Sequence, residues 1–261
     1  MITIVFSNQK GGVAKTTSAL NVAAAMIRQG RRVLAVDLDP QSNLTFATGY
    51  KEKLTDVFNL VDVFAEEAEP YECMRNINGL DLFSVGLKAT AADMMFTQIG
   101  REYMLKNVLE EYQEDYDFCI IDTAPSLNVL TVNALTAADY VIIPFTVDTY
   151  ALQGMVQLQG FIENVKQYTN KDLKVLGMVR TAYDPRLKST KALKGAVDMA
   201  KHAFNCEIIT DIRQCADIGK AQITRQSIFD YSEKSRASED YMILAKRIMR
   251  LTEGGADHAK K

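Results

Sequence analysis

Short apolar runs alternate along this chain with stretches whose apolar positions recur at helical spacing. The runs are Ile2–Phe6, Val33–Asp37, Leu80–Val85, Phe118–Asp122, Val141–Phe145 and Val175–Arg180. All but the third are rich in Val and Ile and poor in charge, as strands covered on both faces of a parallel sheet are. Helical patterns fall near 15–29, 101–114, 127–137, 152–168 and 189–203. A last helix is predicted from about Ser238 to Leu251, with Tyr241, Leu244, Ala245, Ile248 and Leu251 on one face. This βαβα rhythm predicts an α/β fold, a doubly wound, mostly parallel sheet with helices on both faces. No repeat or Pro/Gly linker interrupts it. The expectation is one domain over 1–252, ended by Gly254-Gly255, and a polar tail over 253–261. The acidic stretch 50–80, with Glu66, Glu67 and Glu69, reads as a surface insertion.

Composition narrows the chemistry. With 261 residues, 48% hydrophobic and 24% charged, the chain is globular and long enough to bury a large core. A formal charge of −3 excludes a globally basic nucleic-acid binder, so any DNA contact must come from a local patch. No run reaches membrane-span length, and Lys10 follows the first strand too closely for a cleavable leader, so a cytoplasmic location is expected. Cys73, Cys119, Cys206 and Cys215 are scattered, which suits reduced thiols, with Cys119 as a small core residue. With only His202 and His258, a histidine metal site or catalytic triad is not expected.

The first strand runs into Lys10-Gly11-Gly12-Val13-Ala14-Lys15-Thr16-Thr17 and then an Ala-rich helical pattern. Strand, small-residue loop and helix form the layout of a phosphate-binding loop, where backbone N–H groups face an anion. The usual spacing Gly-x-x-x-x-Gly-Lys-Ser/Thr fails, because Gln9 and Ala14 stand at the two glycine positions. Gly11 and Gly12 still permit a tight curl, and near-helical backbone is expected at Ala14. Lys15 would reach the β- and γ-phosphates, Thr16 would ligate Mg²⁺ and Thr17 would bond the α-phosphate. Taken alone, the loop also fits a glycine turn before a surface helix. The second strand ends Val36-Asp37-Leu38-Asp39-Pro40-Gln41, and the fourth ends Ile120-Ile121-Asp122-Thr123-Ala124-Pro125. Carboxylates at i and i+2 share a side of an extended segment, at the sheet edge where nucleotides bind. An apolar strand ending in Asp is the Walker B arrangement, which holds a water on Mg²⁺. Either acidic element could be an ordinary solvated loop; three such elements in this order point to a nucleotide site.

These residues resemble the ParA/MinD family of P-loop NTPases, the deviant-Walker ATPases. Lys10-Gly11-Gly12 with Lys15-Thr16-Thr17 matches the family's loop, Asp37-Leu38-Asp39-Pro40-Gln41 its second motif and Ile121 to Ser126 its third. The likeness continues through Leu130–Leu135 and Tyr150–Gly154, and weakly through Asp230–Tyr241. It is greatest for the small chromosome and plasmid partition ATPases, the ParA/Soj branch. The resemblance implies a homodimer that sandwiches two ATP molecules, with Lys10 reaching across to the partner's phosphates. It implies that Asp39 orients the attacking water and that Asp37 and Asp122 act on Mg²⁺ through water. It also implies non-specific binding to double-stranded DNA, hence nucleoid association, and a ParB-type partner that stimulates hydrolysis. Ile209-Thr210-Asp211-Ile212-Arg213 stands where the family carries Pro-Arg-Asn, and Thr181 and Asp211 are the base-proximal candidates.

Cations concentrate late in the chain, at Arg186, Lys188, Lys191 and Lys194 and at Arg213, Lys220, Arg225, Lys234 and Arg236. Arg213, Lys220 and Arg225 are the expected phosphate contacts to DNA. Three other readings stay open. A MinD-like membrane-positioning ATPase would need a basic amphipathic C-terminal helix, which Lys246, Arg247 and Arg250 only partly supply; no membrane partner is expected. A metabolic enzyme with the same loop, such as a nitrogenase-iron-protein-like reductase or an amidotransferase-type synthetase, would need cluster cysteines or a substrate pocket. A nucleotide sensor without turnover would have no need of both Asp37 and Asp39.

Overall fold

The computed structural model describes residues 1–52, 54, 57–147, 151–186 and 193–254, with only the backbone of 151–154. Tyr150, Lys188, Lys191, the first residues of the 189–203 helix and the end of the polar tail lie outside the described residues. The frame is an eight-stranded sheet in the order β3-β4-β2-β5-β1-β6-β7-β8. Its strands are β1 (Ile2–Phe6), β2 (Val33–Asp37), β3 (Arg75–Ile77), β4 (Leu80–Ser84), β5 (Phe118–Asp122), β6 (Tyr140–Phe145), β7 (Lys174–Tyr183) and β8 (Ile208–Arg213). Every pairing is parallel except β3 with β4.

The helices are α1 (Lys15–Arg28), α2 (Asn43–Ala47), α3 (Leu60–Phe64), α4 (Pro70–Cys73), α5 (Ala92–Met95), α6 (Met104–Glu110), α7 (Val129–Ala137), α8 (Ala151–Tyr168), α9 (Lys194–Ala203), α10 (Ala216–Thr224), α11 (Ile228–Tyr231) and α12 (Arg236–Glu253). Alternation along the strands sorts side chains onto two cores. Val5, Leu34, Val36, Cys119, Ile121, Val141 and Ile143 face one helical layer, with α3, α6, α7 and α8. Ile4, Phe6, Val33, Ala35, Phe118, Ile120 and Ile142 face the other, with α1 and α12. Cys119 is buried in the first core, and burial pushes its thiol well above the usual range.

The predicted strands recur to within three residues at either end, and two strands were missed. β3 forms a hairpin with β4 around Asn78-Gly79, both left-handed at φ 54° and 83°. That dipeptide is the signal for a two-residue hairpin turn. The edge strand β8 is broken by Thr210 and Asp211 and carries too little apolar pattern to stand out.

Two expectations are corrected. Segment 50–80 is no surface insertion: Leu60, Val61, Phe64 and Cys73 enter the first core, while Glu66, Glu67 and Glu69 cover its solvent side. Leu60, Val61 and Phe64 recur at helical spacing, and reading the acidic residues by composition hid that pattern. On α12, Tyr241, Leu244, Ala245 and Ile248 are fully buried, but Leu251 is 46% exposed and Met249 and Thr252 turn inward instead. At 3.6 residues per turn, Leu251 has rotated off a stripe that Thr252 continues.

Candidate active site

The site is built where β1, β2 and β5 end level with one another. Phe6 and Asp37 are both in register with Asp122. The chain leaves β1 through Ser7 and Asn8. Asn8 donates from Nδ2 to the Pro144 carbonyl (2.7 Å) and accepts the Lys10 N–H on Oδ1 (3.0 Å). The loop is thereby tied to β6 before it curls. Gly12 is left-handed at φ 75°. Val13 is buried, with its carbonyl 3.2 Å from the Thr181 hydroxyl on β7.

Helix α1 then starts without the usual side-chain cap, and no acidic residue lies in its first turn. A helix start normally spends a Ser, Thr, Asp or Asn oxygen on its unpaired N–H groups. Leaving it uncapped beside a lysine favours an external anion. At its other end α1 closes in the ordinary way, with Gly30 left-handed at φ 79° and the Arg31 N–H on the Met26 carbonyl.

Ala14 overturns the near-helical expectation: it is left-handed, at φ 64° and ψ 34°. The loop must reverse just before α1, and a Cβ at that φ crowds its own carbonyl, at a cost of ~1–2 kcal/mol. Ala14→Gly is therefore expected to stabilise the nucleotide-free protein by ~1 kcal/mol, less the greater freedom glycine adds to the unfolded chain. Urea unfolding measures this, and an unchanged or lower midpoint would show the position to be unstrained.

Lys15 is buried in the loop, and its Nζ donates to the Lys10 carbonyl (3.2 Å). Burial lowers its pKa, and the charges of Asp122 and Asp39 partly restore it. The carboxylates differ in their surroundings. Asp37 is fully buried and takes the Thr45 N–H (2.8 Å) and hydroxyl (2.7 Å) on Oδ2 and the Asp39 N–H on Oδ1 (3.2 Å). Burial nonetheless pushes it up to about 6. Asp122 is equally buried, and neither of its oxygens has a hydrogen-bond partner. Burial and then the neighbouring Asp37 push it upward, while Thr16 and Lys15 favour its charged form. Asp39, unlike Asp37, reaches the cavity beyond the loop, with Oδ1 fixed by the Gln41 N–H (2.9 Å).

That cavity has a volume of about 640 Å³. Gly12, Ala14, Lys15, Thr16, Thr17, Asp39 and Thr123 form one side. Asn43 and Phe46 of α2, together with Ile218, Gln222 and Arg225 around α10, form the other. The sequence reading missed this second wall, because α2 and α10 are short and their contributors follow no motif. The base-proximal candidates lie outside it. Thr181 is buried beneath the loop between the Val13 and Phe145 carbonyls, and Asp211 forms a two-pronged ion pair with Arg180 (2.7 and 2.8 Å).

A divalent cation fits the donor set. Two buried carboxylates stand in register on adjacent strands, and the oxygens of one are orphaned, an arrangement costly without a compensating cation. Among the described residues, no group of three or more His, Cys, Asp or Glu could hold a metal by itself. Magnesium does not need one, because it is commonly held by one or two protein oxygens, waters and substrate phosphates.

The expected DNA cations differ in availability. Arg213 is engaged by Asp240 (2.8 Å) and Glu239 (3.1 Å), which raise its pKa further. Lys220 is exposed, 3.3 Å from Asp217 on its own helix. Arg225 is exposed and left-handed (φ 55°), its guanidinium 5.9 Å from the Phe46 ring centre. Arg186 is paired with Asp184 (2.7 Å), and Lys194, Lys234 and Arg236 are exposed. No helix among the described residues is long and apolar enough to cross a membrane.

Known proteins share this plan. A family model described as an AAA domain matches residues 1–175. The sporulation initiation inhibitor protein Soj of Bacillus subtilis is 35% identical over 250 residues, covering 94% of this chain and 97% of that protein. The chromosome partitioning protein ParA of Myxococcus xanthus is 34% identical over 255 residues, covering 95% and 87%. The structure of a Mycobacterium smegmatis protein, named cobyrinic acid a,c-diamide synthase and holding ADP and magnesium, superposes with a TM-score of 0.84. It is 33% identical, covering 98% of this chain and 96% of that one. The likeness to Soj and ParA covers more than nine-tenths of the chain, and the chain belongs to their family of chromosome-partitioning ATPases.

Proposed function

We propose that this chain is a DNA-partition ATPase with ATP and Mg²⁺ as cofactors, forming a single functional domain over 1–252. Two copies close on two ATP molecules, bind double-stranded DNA without sequence preference and hydrolyse ATP when a ParB-type protein stimulates them. The observation that carries this reading is the uncapped start of α1, which meets Lys15, Asp39 and the orphaned Asp122 at one end of the sheet.

In this reading the loop from Lys10 to Thr17 wraps the phosphates with Gly11, Gly12, Val13 and Ala14. Lys15 neutralises the β- and γ-phosphates, and Thr17 meets the α-phosphate. Thr16, with Asp122 and Asp37 acting through water, would hold Mg²⁺, which when bound neutralises charge on the phosphates. Asp39 orients the attacking water. Lys10 from the facing copy meets the charge that builds on the transferring phosphoryl group. The adenine sits nearer the described cavity than Thr181 or Asp211, which are spent on the loop and on Arg180.

The C-terminal helix does not favour the membrane reading, because its apolar stripe lies inside the second core. The ATPase rate with and without DNA tests the proposal. Stimulation by DNA together with a ParB-type protein supports it. A rate that responds instead to glutamine would favour the amide synthesis named for the M. smegmatis protein.

Lys220 and Arg225 are the DNA contacts in this reading. Arg213 is a poor probe, because Arg213→Glu would set a carboxylate against buried Asp240. Lys220→Glu with Arg225→Glu is expected to weaken DNA binding at least ~10-fold at moderate salt. It should also flatten the log–log salt dependence by about 2, since each lost phosphate contact removes ~0.9. Fluorescence anisotropy against salt measures both, and an unchanged slope would remove these residues from the DNA face.

A further inference from the structure

Thr17 is held directly by Gln222 and, through Asn21 of its own helix, indirectly by Ile228. Its hydroxyl oxygen accepts a hydrogen bond from Gln222 Nε2 (2.8 Å). Its carbonyl accepts from Asn21 Nδ2 (2.8 Å), and Asn21 Oδ1 takes the Ile228 N–H (2.7 Å). A hydroxyl has one proton and two lone pairs. With the Gln222 amide donating into a lone pair, the Thr17 proton is turned away from Gln222 and is free to be donated elsewhere. Thr17 stands in the uncapped first turn of α1 and lines the cavity. Gln222 lines the same cavity from α10. No motif marks Gln222, and it comes from a part of the chain remote from the phosphate loop.

We propose that Gln222 is a positioning residue that sets the direction of the Thr17 hydroxyl, so that Thr17 donates to the phosphate next to the nucleoside. This rests on the nucleotide reading above. The Gln222 side chain acts here only as a donor. An acceptor in its place would draw the Thr17 proton to itself and, if charged, would repel the phosphate as well.

The test is the affinity for fluorescent ADP in EDTA, which requires neither Mg²⁺ nor turnover. Gln222→Met keeps the length of the side chain without its donor and is expected to weaken ADP binding roughly three- to tenfold. Gln222→Glu is expected to weaken it further. In a Thr17→Val background, Gln222→Met should have no added effect, because the hydroxyl it orients is gone. Thermal unfolding of each variant confirms that the fold is kept, and Gln222→Leu substitutes if Gln222→Met fails to fold. Wild-type affinity in Gln222→Met, or an equal loss in both backgrounds, would overturn the positioning role. Failure of the unmodified protein to bind ADP with Mg²⁺ present as well would instead overturn the nucleotide reading itself.

Discussion

Asp39→Ala is expected to lower ATP hydrolysis at least ~100-fold, the scale on which a positioned proton acceptor contributes, while ATP affinity stays within a factor of about 3. Asp39 is the carboxylate of β2 that reaches the cavity, and the Gln41 N–H and the Asn43 amide fix its oxygens without neutralising them. Asp37 cannot replace it, because its Oδ2 takes two hydrogen bonds from Thr45 and it does not line the cavity. Binding should survive because the loop, Lys15 and Thr16 are untouched, and removing a negative charge near the phosphates does not oppose them. Single-turnover hydrolysis beside equilibrium ATP binding separates the two effects. Hydrolysis at the wild-type rate would assign water orientation elsewhere.

Lys10→Ala is expected to cost about 10³-fold in stimulated turnover, the lower end of what a cation supplied in trans contributes to phosphoryl transfer. It should also abolish the ATP-dependent dimer, with ATP still bound. Two contacts that shape the loop use the Lys10 backbone: its N–H on Asn8 and its carbonyl under Lys15 Nζ. An alanine keeps both of these backbone contacts. Size-exclusion chromatography with light scattering, with and without a non-hydrolysable ATP analogue, reads the dimer. A Lys10→Ala protein that dimerises and turns over normally would make this lysine an ordinary loop residue.

The parts of the site that were legible in sequence are those where chemistry and strand pattern coincide. Asp37 and Asp122 each end an apolar run, and the register of parallel strands brings such ends together. The loop was legible because its glycines and lysines stand between a strand and a helix. What was not legible depends on contacts between distant segments. Phe46 and Gln222 line one cavity only because α2 and α10 both come close to the start of α1. Thr181 is close to the loop in space, but its burial under Val13 could not be read from its place in β7. The left-handed turn at Ala14 escaped because residue type argued against it, and tertiary constraint won. Arg213 looked available because its partners, Glu239 and Asp240, come from a helix more than twenty residues later.

The two walls of the cavity are anchored very differently. β5, which carries Asp122, lies between β1 and β2 and is buried along its whole length. Helix α10 has a single buried residue, Ala221, and is otherwise held by contacts such as Gln222 with Thr17 and Arg225 with Phe46. Segments with few buried apolar contacts open locally at a free energy well below that of global unfolding. The catalytic wall thus belongs to the most protected part of the molecule and the opposite wall to a part that is cheap to open. In the proposed nucleotide reading, this asymmetry would let nucleotide exchange on the side of α10 with the aspartates undisturbed.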